Sequence, residues 1–286
     1  MTNVQLIQLS PRCELGEGPL YSARENAFFW ADILGQRLHR LALDDGNIRS
    51  WSMPEKICWI IERKDNAGFI AGMQSSIGIL TLNPFSWKVR VIPEPDLPEN
   101  RMNDAKADAA GRIWAGTMHA DGHKSSGSLY RLDPNWQITR ADTDYFIANG
   151  PAIARNQGYL YHTDSGRRLI YRFRLDQDGW LRDREIFLRF SQEDGVPDGM
   201  TIDTEGGLWV AMWGASRVVR FAASGALDCT FRLPASQPTS CAFGGPAFDR
   251  LFVTSAKIGL SGEPGAGALF EIDSGFLGYP AAQFAG

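Results

Sequence analysis

A short run of aromatic and aliphatic residues recurs six times along the chain, and this repeat constrains the fold more than any other feature. It reads Phe28-Phe29-Trp30-Ala31-Asp32, Phe69-Ile70-Ala71-Gly72-Met73 and Ile113-Trp114-Ala115-Gly116-Thr117 in the first half. It continues as Leu160-Tyr161-His162-Thr163-Asp164, Leu208-Trp209-Val210-Ala211-Met212 and Leu251-Phe252-Val253-Thr254-Ser255. A second strand-like run follows each, at 37–41, 77–82, 128–132, 169–173, 217–221 and 267–272. The repeats are roughly 41 to 49 residues apart, the length of a four-stranded propeller blade.

Two further strands flank each pair. An inner one precedes it, as in Pro19-Leu20-Tyr21, Pro151-Ala152-Ile153-Ala154 and Met200-Thr201-Ile202-Asp203. An outer one follows it, as at 47–53, 88–93, 185–190 and 228–233. Turn signals such as Asp44-Asp45-Gly46 separate the strands, and no segment keeps a helical period. The expectation is an all-β, six-bladed β-propeller occupying residues 1–286 as one domain. The sixth unit has no clear outer strand, while Val4-Gln5-Leu6-Ile7-Gln8-Leu9 has no blade of its own. The N-terminal strand is therefore expected to complete the last blade and close the ring, leaving no exposed edge.

With 44% hydrophobic and 22% charged residues the chain is an ordinary globular one, and its 30 glycines fit many tight turns. A net charge of −4 argues against nucleic acid or an anionic membrane as partner. The first ten residues have no secretory signature, and no apolar stretch is long enough to span a bilayer. Cys13, Cys58, Cys229 and Cys241 form no C-x-x-C pair, so free thiols in a cytoplasmic protein are expected. Nothing in the sequence demands more than a monomer or weak oligomer.

Setting the repeats in register exposes a second pattern. Ten or eleven residues ahead of each aromatic strand stand Glu17, Trp59, Asn103, Asn149, Asp198 and Cys241. Inner strands line the axis of a propeller, so these positions converge, and four of them carry side-chain oxygens. Asp-Gly and Asn-Gly are common turn dipeptides, and any one of them alone says little. Several polar groups buried beside one axis need a compensating partner. A single divalent ion satisfies that need, and hard oxygen donors suit Ca, Mg or Mn, with Zn or Fe also acceptable.

At these residues the chain resembles the gluconolactonase and regucalcin (senescence marker protein) family, relatives of the luciferin-regenerating enzymes. The resemblance spans nearly the whole chain. It rests on Leu15-Gly16-Glu17-Gly18-Pro19, Asn100-Arg101-Met102-Asn103-Asp104 and Gly111-Arg112-Ile113-Trp114-Ala115-Gly116-Thr117-Met118. Further on it rests on Asn149-Gly150-Pro151, Pro197-Asp198-Gly199-Met200, Gly206-Gly207-Leu208-Trp209-Val210-Ala211 and Cys241-Ala242-Phe243-Gly244-Gly245. The Tyr161-His162-Thr163-Asp164 version looks most like bacterial sugar lactonases. The resemblance implies one essential divalent ion on Glu17, Asn149 and Asp198, with Arg101 and Asn103 contacting a sugar. A family glutamate that can hold substrate falls at Asp121 here, one methylene shorter, and His119 is expected to line the same mouth.

Hydrolysis of a sugar lactone needs an activated water and a polarised carbonyl. Asp198 is the best candidate for general base, as ligand and proton acceptor together. Asp104, beside Asn103, is a candidate to orient the ligands from behind. No Gly-x-Ser-x-Gly elbow is present. His119 and His123 have the spacing of a helical zinc motif, but their Gly- and Ser-rich context is that of a loop. The competing readings are a metal-dependent ester or organophosphate hydrolase, and a binding propeller whose ion is structural. Fold alone does not separate them.

Overall fold

The computed structural model describes residues 4–8 and 11–286. Twenty-four strands form six four-stranded antiparallel sheets arranged as the blades of a propeller, and no helix occurs among the described residues. Blades one to five run from inner to outer strand in chain order. The sixth takes its outer strand from the N-terminus, where Val4–Gln8 pairs antiparallel with Leu269–Asp273. Ring closure is as the leftover N-terminal strand implies.

Burial explains why the aromatic runs were so legible. The second strand of each blade is sheet-paired on both sides and packed on both faces, so Ala27–Asp32, Phe69–Met73 and Ile113–His119 are buried throughout. Outer strands such as Ile48–Ser52 and Leu181–Arg189 are exposed or half-buried along their whole length. Each of six hydrophobic clusters joins one pair of neighbouring blades. Leu20 and Phe29 of blade one meet Ile60 and Phe69 of blade two, and Trp209 of blade five meets Phe243 and Leu251 of blade six. The core is thus a ring of seams, and the axis is left for other groups.

Blades three and five each hold a latch that the sequence reading passed over. Asp108 and Asp203 sit in the turn before an aromatic strand, each six residues ahead of a tryptophan. Asp203 accepts from the amides of Glu205 and Gly207 at 3.0 and 2.8 Å, from Trp209 Nε1 at 2.7 Å and from Arg220 Nε at 2.6 Å. Asp108 does the same for Ala110, Arg112 and Trp114. Breaking a buried, hydrogen-bonded ion pair on one side costs about 3–5 kcal/mol. Asp203→Ala is therefore expected to lose that much in urea-induced unfolding. A change within about 0.5 kcal/mol, typical of surface sites, would show that the latch is not holding the blade.

Inner strands begin earlier than the sequence pattern marks them. They cover Gly16–Ser22, Ile57–Glu62, Asn100–Ala107, Ala148–Ala154, Val196–Ile202 and Pro238–Gly244. The polar residue and its glycine, read as a turn, lie inside the strand as a bulge. In four blades the inner strand spends three residue steps against two on its partner, between Glu17 and Leu20, Met102 and Ala105, Asn149 and Ala152, and Pro197 and Met200. Blades two and six bulge earlier, between Ile57 and Trp59 and between Pro238 and Ser240. Bulges re-aim side chains, and the four wide ones are those carrying the oxygen-bearing residues.

The far end of the channel is crossed by residues 275–286. Their backbone bonds to Thr204 in blade five, Glu62 and Lys64 in blade two and Gly111 in blade three, and Arg155 of blade four donates to Pro280 O at 3.0 Å. Phe284 plugs the seam between blades two and three. Above this strap lies a cavity of about 110 Å³ lined by Lys106, Met200, Phe243 and Tyr279 among others.

Candidate active site

The four wide bulges bring Glu17, Asn103, Asn149 and Asp198 into the channel wall, with Asp104 beside Asn103. All five are buried. Gly150 follows Asn149 with φ 72°, a conformation a side chain would strain. Gly199 after Asp198 answers a different need, since a Cβ there would lie 2.1 Å from Ser240 Oγ. The glycine signal in the sequence was real, with two physical causes behind it.

The amides are fixed by hydrogen bonds. Arg101 Nη1 donates to Asn103 Oδ1 at 2.6 Å and to Met102 O at 2.9 Å. Asn103 Nδ2 donates to Ala148 O and to Asn149 Oδ1, both at 2.8 Å. Asn149 Nδ2 donates to Ser165 Oγ at 2.9 Å. Arg101 and Asn103 share a face, as their i, i+2 spacing requires. Arg101 is itself buried and bonded within the protein, so its replacement carries a stability cost as well as any effect on ligand.

The acids are poorly satisfied. Asp104 Oδ1 accepts from the Ala105 amide at 2.7 Å and Glu17 Oε2 from the Gly18 amide at 3.2 Å. Asp104 Oδ2 and Asp198 Oδ1 are buried without a hydrogen-bond partner. Burial, then the nearby Asp104 charge, pushes the Glu17 carboxyl up to about 8. Burial, then the charges of Glu17 and Asp104, holds Asp198 well above the usual carboxylate range, and burial raises Asp104 too. The Arg101 guanidinium opposes the shifts at Glu17 and Asp198, and Lys106 opposes those at Glu17 and Asp104. Three mutually repelling buried carboxyls with two orphaned oxygens fit a divalent cation, whose charge would reverse those shifts.

His119 and Asp121 lie apart from this chain of contacts, at the rim. His119 ends the strand beside Asn100 and Arg101, and its Nδ1 accepts from the Asp121 amide at 3.2 Å. Its Nε2 faces Glu99 Oε2 at 3.5 Å, and its ring packs on His123 with centroids 4.1 Å apart. His119, Asp121 and His123 bring ligand atoms within 4.8 Å of one another, on a strand end and loop rather than a helix. With Nδ1 accepting from the Asp121 amide, His119 pins the 119–123 loop. His162 is fully buried against Tyr145, a packing residue. Trp59 is also core, its indole lying over Gly72.

Two residues of the site escaped the sequence reading. Ser165 carries no motif signal beyond following Asp164. Glu94 accepts from Thr117, Tyr130 and Asn100 at 2.9, 3.0 and 2.9 Å, bracing the segment that leads into Arg101; it sits in a loop outside the repeat.

A propeller whose inner-strand bulges hold Glu17, Asn103, Asn149 and Asp198 at one phase matches one known class. Residues 15–257 match the SMP-30/gluconolactonase/LRE-like region, and the chain belongs to that family. Among its relatives, a 6-deoxy-6-sulfogluconolactonase of Pseudomonas putida is 33% identical, covering 95% of each chain. A pentonolactonase of Haloferax volcanii is also 33% identical, covering 98% of this chain and 97% of its own. Among solved structures, regucalcin of Agrobacterium tumefaciens, described as a calcium-binding protein, superposes with a TM-score of 0.93. It is 26% identical over 98% of this chain and 96% of that one.

Proposed function

We propose that the protein hydrolyses a sugar lactone to the open hydroxy acid with one divalent cation held by Glu17, Asn149 and Asp198. The observation that carries this reading is the buried acid cluster with orphaned oxygens, set beside an arginine–asparagine pair able to bind hydroxyl groups. The lactonase names of its relatives support the substrate class. The cation, when bound, would polarise the ester carbonyl and acidify a nearby water.

The chain's own residues do the rest. Arg101 and Asn103 hold the sugar hydroxyls and set the ring against the acids. Asp198 takes a proton from water as its oxygen attacks the carbonyl carbon. The ring C–O bond breaks, and the proton passes from Asp198 to the departing ring oxygen, giving carboxylic acid and alcohol. Asp104, one residue from Asn103, orients the ligands from behind. Asp121 and His119 shape the mouth through which the sugar enters.

The test is a panel of aldonolactones followed by acid release, with the protein first stripped by chelator and then reloaded with Ca, Mg, Mn, Zn or Fe. Activity is expected to disappear on stripping and return with at least one ion. Full activity in protein shown by elemental analysis to be metal-free would sink the cation reading.

A further inference from the structure

The hydrogen bonds from Arg101 to Ser165 all run in one direction. Arg101 donates to Asn103, Asn103 to Asn149 and Asn149 to Ser165. Ser165 Oγ in turn donates to Pro197 O at 2.7 Å, one residue before Asp198. The chain therefore crosses three blades, from the proposed sugar-binding arginine to the strand carrying the proposed base.

Its polarity is set from both ends: Arg101 can only donate and Ala148 O can only accept at Asn103, and Ser165 fixes the Asn149 end. A hydroxyl has one proton, and Pro197 O, which can only accept, takes it. Ser165 Oγ is then left as an acceptor and demands the NH₂ side of Asn149. That turns Asn149 Oδ1 toward Asn103 Nδ2, whose other proton is fixed on Ala148 O at 2.8 Å. Asn103 Oδ1 is left to face Arg101. Asn149 Oδ1 accepts one protein bond and keeps a lone pair uncommitted. Ser165 is buried, at 5% exposure, so water does not readily replace it.

We infer that Ser165 is the positioning residue that holds the Asn149 amide from behind, and so sets cation affinity at Asn149. The inference deepens the proposed function and rests on it for the cation. Ser165→Ala removes the acceptor that selects the Asn149 rotamer. Outer groups of this kind are worth about 10- to 100-fold in metal affinity.

The experiment compares wild type, Ser165→Ala and Ser165→Thr, which keeps the hydroxyl. Calorimetric titration of chelated protein with Ca²⁺ and Mn²⁺ is expected to show Kd weakened about 10- to 100-fold in the alanine variant and restored by threonine. KM for the lactone should rise in parallel at limiting cation, and Tm should fall modestly, because Asn149 Nδ2 loses a buried acceptor. Hydrogen exchange of the Asn149 side-chain amide, followed by NMR in chelated protein, is expected to be slow in wild type and fast in Ser165→Ala. That last measurement needs no cation. If wild type binds no divalent ion, the cation reading fails while amide exchange still judges Ser165. A lowered Tm with unchanged Kd, KM and amide exchange would mark Ser165 as structural only and overturn the inference.

Discussion

Asp198→Asn is expected to lower kcat by about 10² to 10⁴, the usual cost of a missing general base, and to stay low at saturating cation. Asparagine matches aspartate in volume and still offers one oxygen, but it is neutral and a very poor proton acceptor. Asp198 Oδ1 has no protein partner, so the change breaks no hydrogen bond at that atom, and the blade should fold normally. The cation Kd should weaken as well, since one charge is lost. Measuring kcat across a cation titration separates the two effects. Recovery to near wild-type kcat at high cation would make Asp198 a ligand only. The base would then be Asp104, whose Oδ2 is also buried and unpartnered, and Asp104→Asn would show the loss instead.

The fold was legible because a propeller writes its geometry into period and burial. A strand buried on both faces is mostly apolar, and six such strands at blade spacing, as at 28–32 and 208–212, admit few other architectures. The oxygen-bearing positions were legible for a related reason: equivalent residues of a ring meet at its axis. The bulge was not, because Glu17-Gly18 and Asp198-Gly199 look the same in sequence whether they turn the chain or widen a strand. Asp203 was missed because its partners Trp209 and Arg220 come from two different strands, and Ser165 because its partners lie in two different blades. Both roles are tertiary contacts with no local periodicity to announce them. Asp121, matched to a family glutamate, lies on an exposed loop with its amide bonded to His119.

Chelated protein is expected to lose stability as pH rises from about 4.5 to 8, and cation-loaded protein is not. The Glu17 carboxyl is pushed up to about 8 from its ordinary 4.5, so in that window the folded chain binds a proton that the unfolded chain has released. More protons on the folded side means that unfolding becomes easier as pH increases. Stability from this group is full below about 4.5 and gone above about 8. Asp104 and Asp198, both raised, act with the same sign. Each tenfold difference in proton affinity is worth about 1.4 kcal/mol, so the gap between loaded and chelated protein should grow by a few kcal/mol across the window. Bound cation adds about 4 kcal/mol at a thousand times its Kd, which sets the scale of the loaded curve. Thermal melts at pH 5, 6, 7 and 8, with and without chelator, measure the gap. Glu17→Gln supplies the control: neutral and close in size, it should flatten the chelated curve and raise Tm at pH 8 while abolishing cation binding. If chelated and loaded protein instead gain stability in parallel from pH 5 to 8, the three acids are not sharing buried charge, and the argument for a cation among them loses its energetic basis.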